Sequence, residues 1–317
     1  MDPAQSRLPP WLKTRLGTGP EFSRLREASR SRGLHTVCDG ARCPNIGECW
    51  SRGTATFMVL GSRCTRGCRF CGVPAGKSGP VDPAEPERLA ATLSEMRLKY
   101  AVITMVCRDD LPDGGAGHLS RCLRLVRSAC PDMTLEALVG DFGGDQEALK
   151  TVLDAGPEVL SHNIETVERL SPLARDHRSS YRASVELLRA AKALAPACAT
   201  KSSLMLGLGE TEAEVLAALS DLREAGVSLL TIGQYLRPSR SARYLPVREY
   251  VPPERFEALK SAALGMGFLH VASGPFVRSS YRADEAVLLS PVPGGGGKPE
   301  GADEGGRITK GRQTAQR

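Results

Sequence analysis

The sequence predicts an α/β protein whose core is a partial (β/α)6 barrel. Three observations lead to this prediction: six short apolar runs alternate with six helical patterns, several of these patterns begin at Pro, Asp or Thr and end near Gly, and polar motifs follow the apolar runs. Six such units favour a parallel sheet, and right-handed crossovers curl a parallel sheet toward a barrel. Six units are too few for a complete eight-stranded barrel, and a partial barrel fits better than a doubly wound sheet.

The predicted strands and helices occupy the middle of the chain. The predicted strands are Thr56–Leu60, Ala101–Val106, Thr134–Val139, Val159–His162, Ser203–Leu206 and Leu229–Ile232. The predicted helices are Pro83–Leu98, Ala116–Ala129, Gln146–Ala155, Arg182–Leu194, Thr211–Ala225 and Pro253–Met266. Pro is tolerated in the first turn of a helix and Gly favours the turn that ends one, so Pro83 and Pro253 mark helix starts and Gly156 and Gly226 mark helix ends.

Polar residues follow the predicted strands, and active sites of parallel barrels gather at the rim formed by the carboxyl ends of the strands. In chain order these residues are Cys64–Cys71, Arg108–Asp110, Asp141, Asn163, Glu165, Gly207–Glu210 and Gln234. The alternative for each is a helix cap or a turn, which we favour for Asp113–Gly115 and Asp145. For Asn163 and Glu165, which leave an apolar strand, we favour a ligand role.

The composition is that of an enzyme with one sizeable core. Apolar residues make up 41% of the 317 residues, and the longest apolar runs are shorter than the roughly 18 residues that a membrane span needs. The net charge of +6 is spread along the chain and aromatic residues make up only 5%, unlike the basic stripe and stacking aromatics of a nucleic-acid binder. We therefore expect neither a membrane nor a nucleic acid among its partners.

Six of the ten cysteines form two triplets within 34 residues. The first triplet has the pattern CxxxxCxxxxxC and consists of Cys38, Cys43 and Cys49. The second has the pattern CxxxCxxC and consists of Cys64, Cys68 and Cys71. Three thiolates can hold three corners of a 4Fe–4S cluster and leave the fourth iron open for chemistry. Thiolates that bind metal need a reducing compartment, which predicts the cytoplasm.

Three other uses of cysteine compete with this interpretation. Structural zinc needs four ligands, and the spacings of both triplets fit a zinc ribbon poorly. A disulfide framework is typical of short secreted chains, whereas this chain has 317 residues and no apolar signal segment at its start. An electron-transfer ferredoxin uses other spacings and four cysteines for each cluster. We favour clusters held by three cysteines each.

The second triplet resembles the signature of the radical S-adenosylmethionine (SAM) superfamily, in which an aromatic residue, here Phe70, precedes the last cysteine. The first triplet and its surroundings, from Cys38 to Trp50, are similar to the auxiliary-cluster motif of the lipoyl synthase family. Further blocks that resemble this family are Arg108–Ala116, His162–Thr166, Met205–Glu210, Gly233–Leu236 and Ala272–Tyr281, the last with its RSSY motif. The resemblance covers residues 10–285.

The resemblance implies a barrel of the radical SAM type, with N-terminal and C-terminal extensions that carry an auxiliary iron–sulfur cluster. It implies SAM and two 4Fe–4S clusters as cofactors. The implied ligands of the SAM-binding cluster are Cys64, Cys68 and Cys71. The implied ligands of the auxiliary cluster are Cys38, Cys43, Cys49 and Ser280. The residues that we expect to bind the SAM cofactor are Phe70, Asn163, Glu165, Lys201 and Gln234.

The activity implied by the resemblance is the insertion of two sulfur atoms, at the sixth and eighth carbons, into an octanoyl chain linked to a lysine of a carrier protein. In this family SAM-derived 5′-deoxyadenosyl radicals take the hydrogen atoms, and the auxiliary cluster gives up its sulfur. The implied partners are octanoylated lipoyl carrier domains or the glycine-cleavage H protein, a reductant such as ferredoxin or flavodoxin, and an iron–sulfur cluster assembly or carrier protein.

Two alternatives to this activity have a basis in the sequence. One is another sulfur-inserting radical SAM enzyme, such as a biotin synthase or a methylthiotransferase, against which the first triplet and the RSSY motif argue. The other is a non-enzymatic iron–sulfur carrier or electron-transfer protein, which would need neither the polar rim nor the partial barrel.

The motifs divide the chain into four expected parts. Residues 1–53 form the N-terminal arm with the auxiliary-cluster motif, 54–268 the barrel, 269–289 the RSSY segment, and 290–317 a tail that lacks apolar periodicity and is expected to be disordered. Buried inert thiols are the expectation for the remaining cysteines, Cys107, Cys122, Cys130 and Cys198. A spare thiolate at the cluster rim is the alternative for Cys107.

Overall fold

The computed structural model describes residues 8–12, 27, 34–36 and 45–287. Most of the predicted N-terminal arm, including Cys38 and Cys43, and the whole predicted tail lie outside the described residues. The predicted barrel and nearly all of the RSSY segment lie within them, so the structure bears mainly on those two parts.

One eight-stranded sheet runs through the described chain with its strands in sequence order. The strands are β1 His35–Thr36, β2 Thr54–Val59, β3 Tyr100–Met105, β4 Thr134–Leu138, β5 Val159–Ser161, β6 Ala199–Leu206, β7 Leu229–Gln234 and β8 His270–Gly274. β1 is antiparallel to β2, and every neighbouring pair from β2 to β8 is parallel. The predicted α/β partial barrel is confirmed, with seven parallel strands instead of six because β8 pairs with β7.

Helices connect consecutive parallel strands, except for the first helix, which precedes β2, and the last, which follows β8. They are α1 Ile46–Ser51, α2 Glu85–Met96, α3 Ala116–Ala129, α4 Gln146–Leu153, α5 Ser171–Ala174, α6 Tyr181–Leu194, α7 Glu212–Glu224, α8 Pro253–Gly265 and α9 Ala283–Val287. The Asp145 side chain caps α4 by accepting from the N–H groups of Glu147 and Ala148, the role that we favoured for it. None of the helices in the described ranges is long and apolar enough to span a bilayer.

Along each strand, side chains point alternately towards the helices and towards the interior of the barrel. On β2, Ala55, Phe57 and Val59 are buried in the apolar core between the sheet and the helices. Thr54 and Thr56 therefore point to the opposite face, which is the interior of the barrel. This alternation decides which strand residues can reach a bound molecule.

The C-terminal segment, residues 275–285, lies against interior-facing residues of the sheet. A Cβ atom at Gly233 would lie 2.1 Å from the carbonyl oxygen of Val277, so only glycine lets the segment approach β7 this closely. Further along, Ala283 is buried against Tyr100 of β3. The segment thus brings the RSSY motif to the inner face of the barrel.

Candidate active site

The loop that carries the second cysteine triplet follows β2 and is fixed to the end of β3. The backbone N–H and the hydroxyl of Thr65 both donate to the carbonyl of Cys107, at 3.0 and 2.9 Å. The N–H of Cys64 donates to the Pro74 carbonyl, and the N–H of Gly76 donates to the Cys64 carbonyl, both at 2.9 Å. The cysteine loop, residues 64–71, therefore lies at the rim formed by the carboxyl ends of the strands.

Arg66, in the middle of the cysteine loop, ties it to neighbouring elements. Its guanidinium nitrogens lie 2.7 Å from Asp109 and 2.6 Å from Asp141, and one donates to the Ser179 hydroxyl at 2.9 Å. Burial lowers the pKa of Arg66, but its hydrogen bonds to Asp141 and Asp109 outweigh burial and raise the pKa above its usual value. Burial likewise raises the pKa of Asp141, and Arg66 holds it below the usual range. Arg66, Asp109 and Asp141 therefore stay charged and paired.

Two sulfurs of the triplet accept hydrogen bonds from backbone N–H groups. The N–H of Arg66 donates to Cys64 Sγ at 3.4 Å, and the N–H of Asp176 donates to Cys68 Sγ at 3.3 Å. The Asp176 carboxylate also accepts from the Gly67 N–H at 2.8 Å, which holds the centre of the loop. Such donors stabilise a thiolate and tune an iron–sulfur cluster, so the loop fits a cluster bound through its cysteines.

Cys107 lies beside Cys64 and supplies a further donor. A hydrogen bond from the Cys107 thiol, opposed by burial and helped by the Arg66 N–H, lowers the pKa of Cys64 to about 6. The same hydrogen bond, together with burial, raises the pKa of Cys107. Burial raises the pKa of Cys71 to about 12, so cluster binding there must displace a proton. Cys107 is thus a neighbour of the cysteine loop and not a remote core thiol.

Asn163 and Glu165 follow β5 at the same rim. The Asn163 amide donates to the Glu165 carboxylate at 3.2 Å. Glu165 has a φ of 68°, a left-handed conformation uncommon outside glycine, and its N–H donates to the Ser203 carbonyl of β6 at 3.1 Å. Burial raises the pKa of Glu165, opposed by the positive charge of Arg175. A carboxylate on a strained backbone position, next to an amide side chain, is suited to holding a polar group of a cofactor.

A second site lies at the inner face of β2, where Cys49 and Ser280 line one small cavity. Cys49 belongs to α1, just before β2, and Ser280 belongs to the C-terminal segment. The Thr56 hydroxyl of β2 donates to the Ser280 hydroxyl at 2.9 Å. The fold thus joins one cysteine of the first triplet to the predicted serine ligand, while Cys38 and Cys43 lie outside the described residues.

Polar contacts clamp the C-terminal segment to the region of α1. The Asn45 amide donates to the Phe276 carbonyl at 2.6 Å, across 231 positions of sequence. The Arg52 guanidinium lies 2.6 Å from the Asp284 carboxylate. Residues 45–56 and 276–284, far apart in sequence, therefore meet at the second site.

The chain has close relatives of known family. Residues 58–233 match the radical SAM superfamily, and residues 2–43 match the N-terminal domain of lipoyl synthase. The lipoyl synthase of Halorhodospira halophila is 52% identical over 282 residues, covering 89% of this chain and 84% of that protein. The lipoyl synthase of Thermus thermophilus is 51% identical over 288 residues, covering 90% and 88%. The chain belongs to the lipoyl synthase family.

Among solved structures, the FeFe-hydrogenase maturase HydG superposes with a TM-score of 0.55 at 13% identity, covering 69% of this chain and 56% of that one. This likeness concerns the barrel fold alone. Membership of the lipoyl synthase family confirms the predicted family and the predicted class, a radical SAM enzyme. The cofactors of that family are SAM and 4Fe–4S clusters, including an auxiliary one, as the sequence led us to expect.

The residues present fit the clusters of the lipoyl synthase family. Backbone N–H groups already point at two sulfurs of the cysteine loop, and Cys49 shares a cavity with Ser280. Within the described ranges, no three His, Cys, Asp or Glu side chains converge as a single metal ion would require. The assignment of each ligand to a cluster stays a prediction.

Gln234, which we expected to bind SAM, has its polar atoms occupied by the protein. Its side-chain Nε2 donates to the carbonyls of Leu206 at 3.1 Å and Glu249 at 3.0 Å, and its Oε1 accepts from the Val251 N–H at 2.8 Å. The side chain is buried. Gln234 thus holds the loop after β7 to the ends of two strands, and its contact with SAM stays a prediction.

Lys201, also expected to bind SAM, lies below the rim as the third residue of β6. Its Nζ is 2.9 Å from Glu136, and the two side chains are 4% and 0% exposed. Glu136 also accepts from the hydroxyls of Tyr100 at 2.7 Å and Ser161 at 2.5 Å. Lys201 is therefore half of a buried ion pair in this structure, and its contact with SAM stays a prediction.

Arg66, Asp176 and Ser179 were not among the predicted site residues. Arg66 had a sequence signal, because a cation inside a run of metal-binding cysteines has a ready electrostatic role. Asp176 lies 108 positions from Cys68 and follows no strand, so only the fold reveals its contact. Phe70 packs on the apolar core beneath β6 and β7, next to the rim, and its contact with SAM stays a prediction.

The structural role of Lys201 can be tested with a pair of variants. Lys201→Met should lower the free energy of unfolding by about 3–5 kcal/mol, because it leaves Glu136 buried without its partner. The double variant Lys201→Met with Glu136→Gln should recover part of that loss, because a neutral amide still bonds Tyr100 and Ser161. Urea denaturation measures both. A double variant that is stable but binds SAM much more weakly would show that Lys201 has its predicted role in binding the cofactor.

Proposed function

We propose that the chain inserts two sulfur atoms, at the sixth and eighth carbons, into an octanoyl chain that is amide-linked to a lysine of a carrier protein. One observation carries the proposal: two cysteine-bearing sites are built around the same strand. The cysteine loop follows β2, and the cavity lined by Cys49 and Ser280 lies at the inner face of β2. An iron–sulfur carrier has no use for a second site that opens inside a barrel.

Each site would hold one cluster. The residues that would hold the SAM-binding cluster are Cys64, Cys68 and Cys71. The residues that would hold the auxiliary cluster are Cys38, Cys43, Cys49 and Ser280. When bound, these clusters and SAM supply a primary carbon radical and sulfur atoms, which the reaction needs because the C–H bonds of a saturated chain carry no acidic proton for a base to take.

The chain's own residues position these groups and keep water away from them. Arg66 and Asp176 hold the cysteine loop at the rim. Asn163, Glu165 and Phe70 would bind SAM beside it, since they lie at the same rim and two of them present polar atoms. The C-terminal segment covers the interior on the other side and limits the access of water to reactive carbon.

Thr56 gives Ser280 the environment that a metal-bound serine needs. A serine bound to iron is an alkoxide, which only accepts hydrogen bonds, and the Thr56 hydroxyl is a donor 2.9 Å away. A hard oxygen matches cluster iron less well than a soft thiolate does. We therefore infer that Ser280 is the ligand released most easily when the auxiliary site gives up its sulfur.

The proposed reaction sets the partners and the environment. The carrier is an octanoylated lipoyl domain or the glycine-cleavage H protein, the electrons come from a ferredoxin or a flavodoxin, and a cluster assembly or carrier protein rebuilds the auxiliary site. Thiolate ligands require a reducing compartment, and we place the protein in the cytoplasm. We assign residues 1–53 and the RSSY segment within 269–289 to the auxiliary site, and residues 54–268 together with β8, which pairs with β7, to the barrel.

The serine assignment predicts a difference between two adjacent residues. Ser280→Ala should remove most lipoyl product and part of the auxiliary-site iron, because one of four ligands is lost, while reductive SAM cleavage continues. Ser279→Ala should have a smaller effect. Iron and sulfide analysis with single-turnover product yield measures both variants. Equal, near wild-type yields would remove Ser280 from the ligand set.

The proposed function is tested by a single-turnover reaction. The anaerobically reconstituted protein, SAM, a reductant and an octanoyl-lysine peptide should yield a peptide that has gained two sulfur atoms, as measured by mass spectrometry. SAM cleavage without any sulfur-containing peptide would leave a radical SAM enzyme with a different substrate.

A further inference from the structure

Two segments of the chain carry basic residues and no acidic ones. Residues 61–80 and 235–248 together contain eight of the 42 Lys and Arg residues and none of the 36 Asp and Glu residues. The rest of the chain therefore carries two more acidic than basic residues. The two segments together therefore carry a net charge of +8, against +6 for the whole chain.

The fold places the two segments against each other at the cysteine loop. The N–H of Leu245 donates to the Arg69 carbonyl at 3.1 Å, and the Arg69 guanidinium donates to the Arg243 carbonyl at 3.3 Å. The Arg243 guanidinium donates to the Val73 carbonyl at 3.3 Å. Residues of the cysteine loop itself thus pack directly against the second segment.

Seven of the eight cations have no acidic partner among the described residues; the exception is Arg66. Their intramolecular bonds go to neutral backbone carbonyls, as when Arg237 donates to Ser241 at 2.7 Å. Four of the seven are exposed. We call the seven the basic surface: Arg63, Arg69, Lys77, Arg237, Arg240, Arg243 and Arg248.

We propose that the basic surface is the docking site of the acidic electron-transfer protein that reduces the cluster held by the cysteine loop. The proposal rests on the proposed function. One electron leaves the reduced donor, which is thereby oxidised, and enters the cysteine-bound cluster; no covalent bond forms or breaks in this transfer. Electron transfer requires the two redox centres to approach closely, and the basic surface includes Arg69 of the cysteine loop and residues that pack against that loop.

The position of the basic surface favours an electron donor over the carrier protein. The carrier has to deliver an octanoyl chain to the barrel interior, whereas the donor needs only to come close to Cys64–Cys71. Unpaired cations around such an entry point attract an acidic partner, accelerate encounter by about 10- to 1,000-fold, and make the rate fall with added salt.

The test compares two triple variants with the same change in charge. The docking variant is Lys77→Glu, Arg240→Glu and Arg248→Glu, all exposed positions of the basic surface. The control variant carries the same substitution at three exposed cations away from the cysteine loop, Arg97, Lys99 and Arg124. Each holoenzyme is assayed for reductive SAM cleavage with a reduced acidic flavodoxin and, separately, with dithionite.

We expect the docking variant to lose at least about tenfold in flavodoxin-driven cleavage at low salt, while dithionite-driven cleavage stays unchanged. The control variant should lose little with either reductant. The dissociation constant of oxidised flavodoxin, measured without turnover, should rise by a similar factor in the docking variant only. Added salt should bring the wild type towards the docking variant.

Three results would overturn the proposal. Equal losses of flavodoxin-driven cleavage in both triple variants would show that the effect comes from the net charge of the protein and not from the basic surface. An equal loss with dithionite would show damage to the cluster site. A loss that appears with an octanoylated carrier protein but not with an octanoyl peptide, whichever reductant is used, would assign the surface to the carrier. Dithionite-driven sulfur insertion by the wild type tests the proposed function independently.

Discussion

Cys68→Ala is expected to abolish reductive SAM cleavage, whereas Cys49→Ala is expected to leave that cleavage measurable and to abolish sulfur insertion. Cys68 belongs to the cysteine loop, where a lost thiolate removes the cluster that binds SAM. Cys49 lines the separate cavity that it shares with Ser280. Chromatography of 5′-deoxyadenosine measures the first activity, and mass spectrometry of an octanoyl-lysine peptide measures the second.

Cys130→Ala is the matched control for the two cysteine variants. Cys130 follows α3 and is only partly buried, so its removal should change neither activity. Lipoyl product from the Cys49 variant would show that the second site is not the sulfur donor. SAM cleavage by the Cys68 variant would show that the cysteine loop does not bind the SAM-cleaving cluster.

Arg66→Ala is expected to cost about 3–5 kcal/mol of folding free energy, because it leaves the buried Asp141 and its neighbour Asp109 without their shared cation. It should also lower the iron content by up to half, because the cysteine loop loses its internal anchor while the second site does not. Urea denaturation and iron analysis measure the two effects.

Two further substitutions sharpen this prediction. Arg66→Lys should recover only part of the loss, because an ammonium group cannot bond two carboxylates and a serine in the geometry of a guanidinium. Arg63→Ala, which removes an exposed cation just before the loop, should change stability by no more than about 0.5 kcal/mol. An Arg66→Ala variant with full iron content would show that the cysteines alone fix the loop.

The alternation of strands and helices was predictable because apolar periodicity and helix-ending residues are local signals. The helix at Ala116–Ala129 has the bounds that the sequence indicated. The short helix Ile46–Ser51 was not predicted, since six residues inside a metal-binding motif carry too little periodicity. The pairing of β8 with β7 also escaped, because a five-residue strand after the last predicted helix has no local sign of its neighbour.

In the candidate site, too, contacts between residues close in sequence were predictable and contacts between distant residues were not. Cysteine spacing identifies the cysteine loop because its ligands are close in sequence. The ion pair of Lys201 could not be predicted, because nothing near it in sequence reveals Glu136, which lies 65 positions away. The strand-end position of Gln234 was predicted correctly, but its bond to Glu249 was not, because Glu249 belongs to a later loop.

The meeting of residues 45–56 with residues 276–284 at the second site has a consequence for biosynthesis. Thr56 and Ser280 are separated by 224 residues, and Asn45 and Phe276 by 231. A ribosome that has translated as far as β7 has already released the cysteine loop and most of the barrel, but not the serine. With the proposed ligands, the SAM-binding site can be assembled on a nascent chain, whereas the sulfur-donating site cannot be completed until the segment with Ser280 emerges.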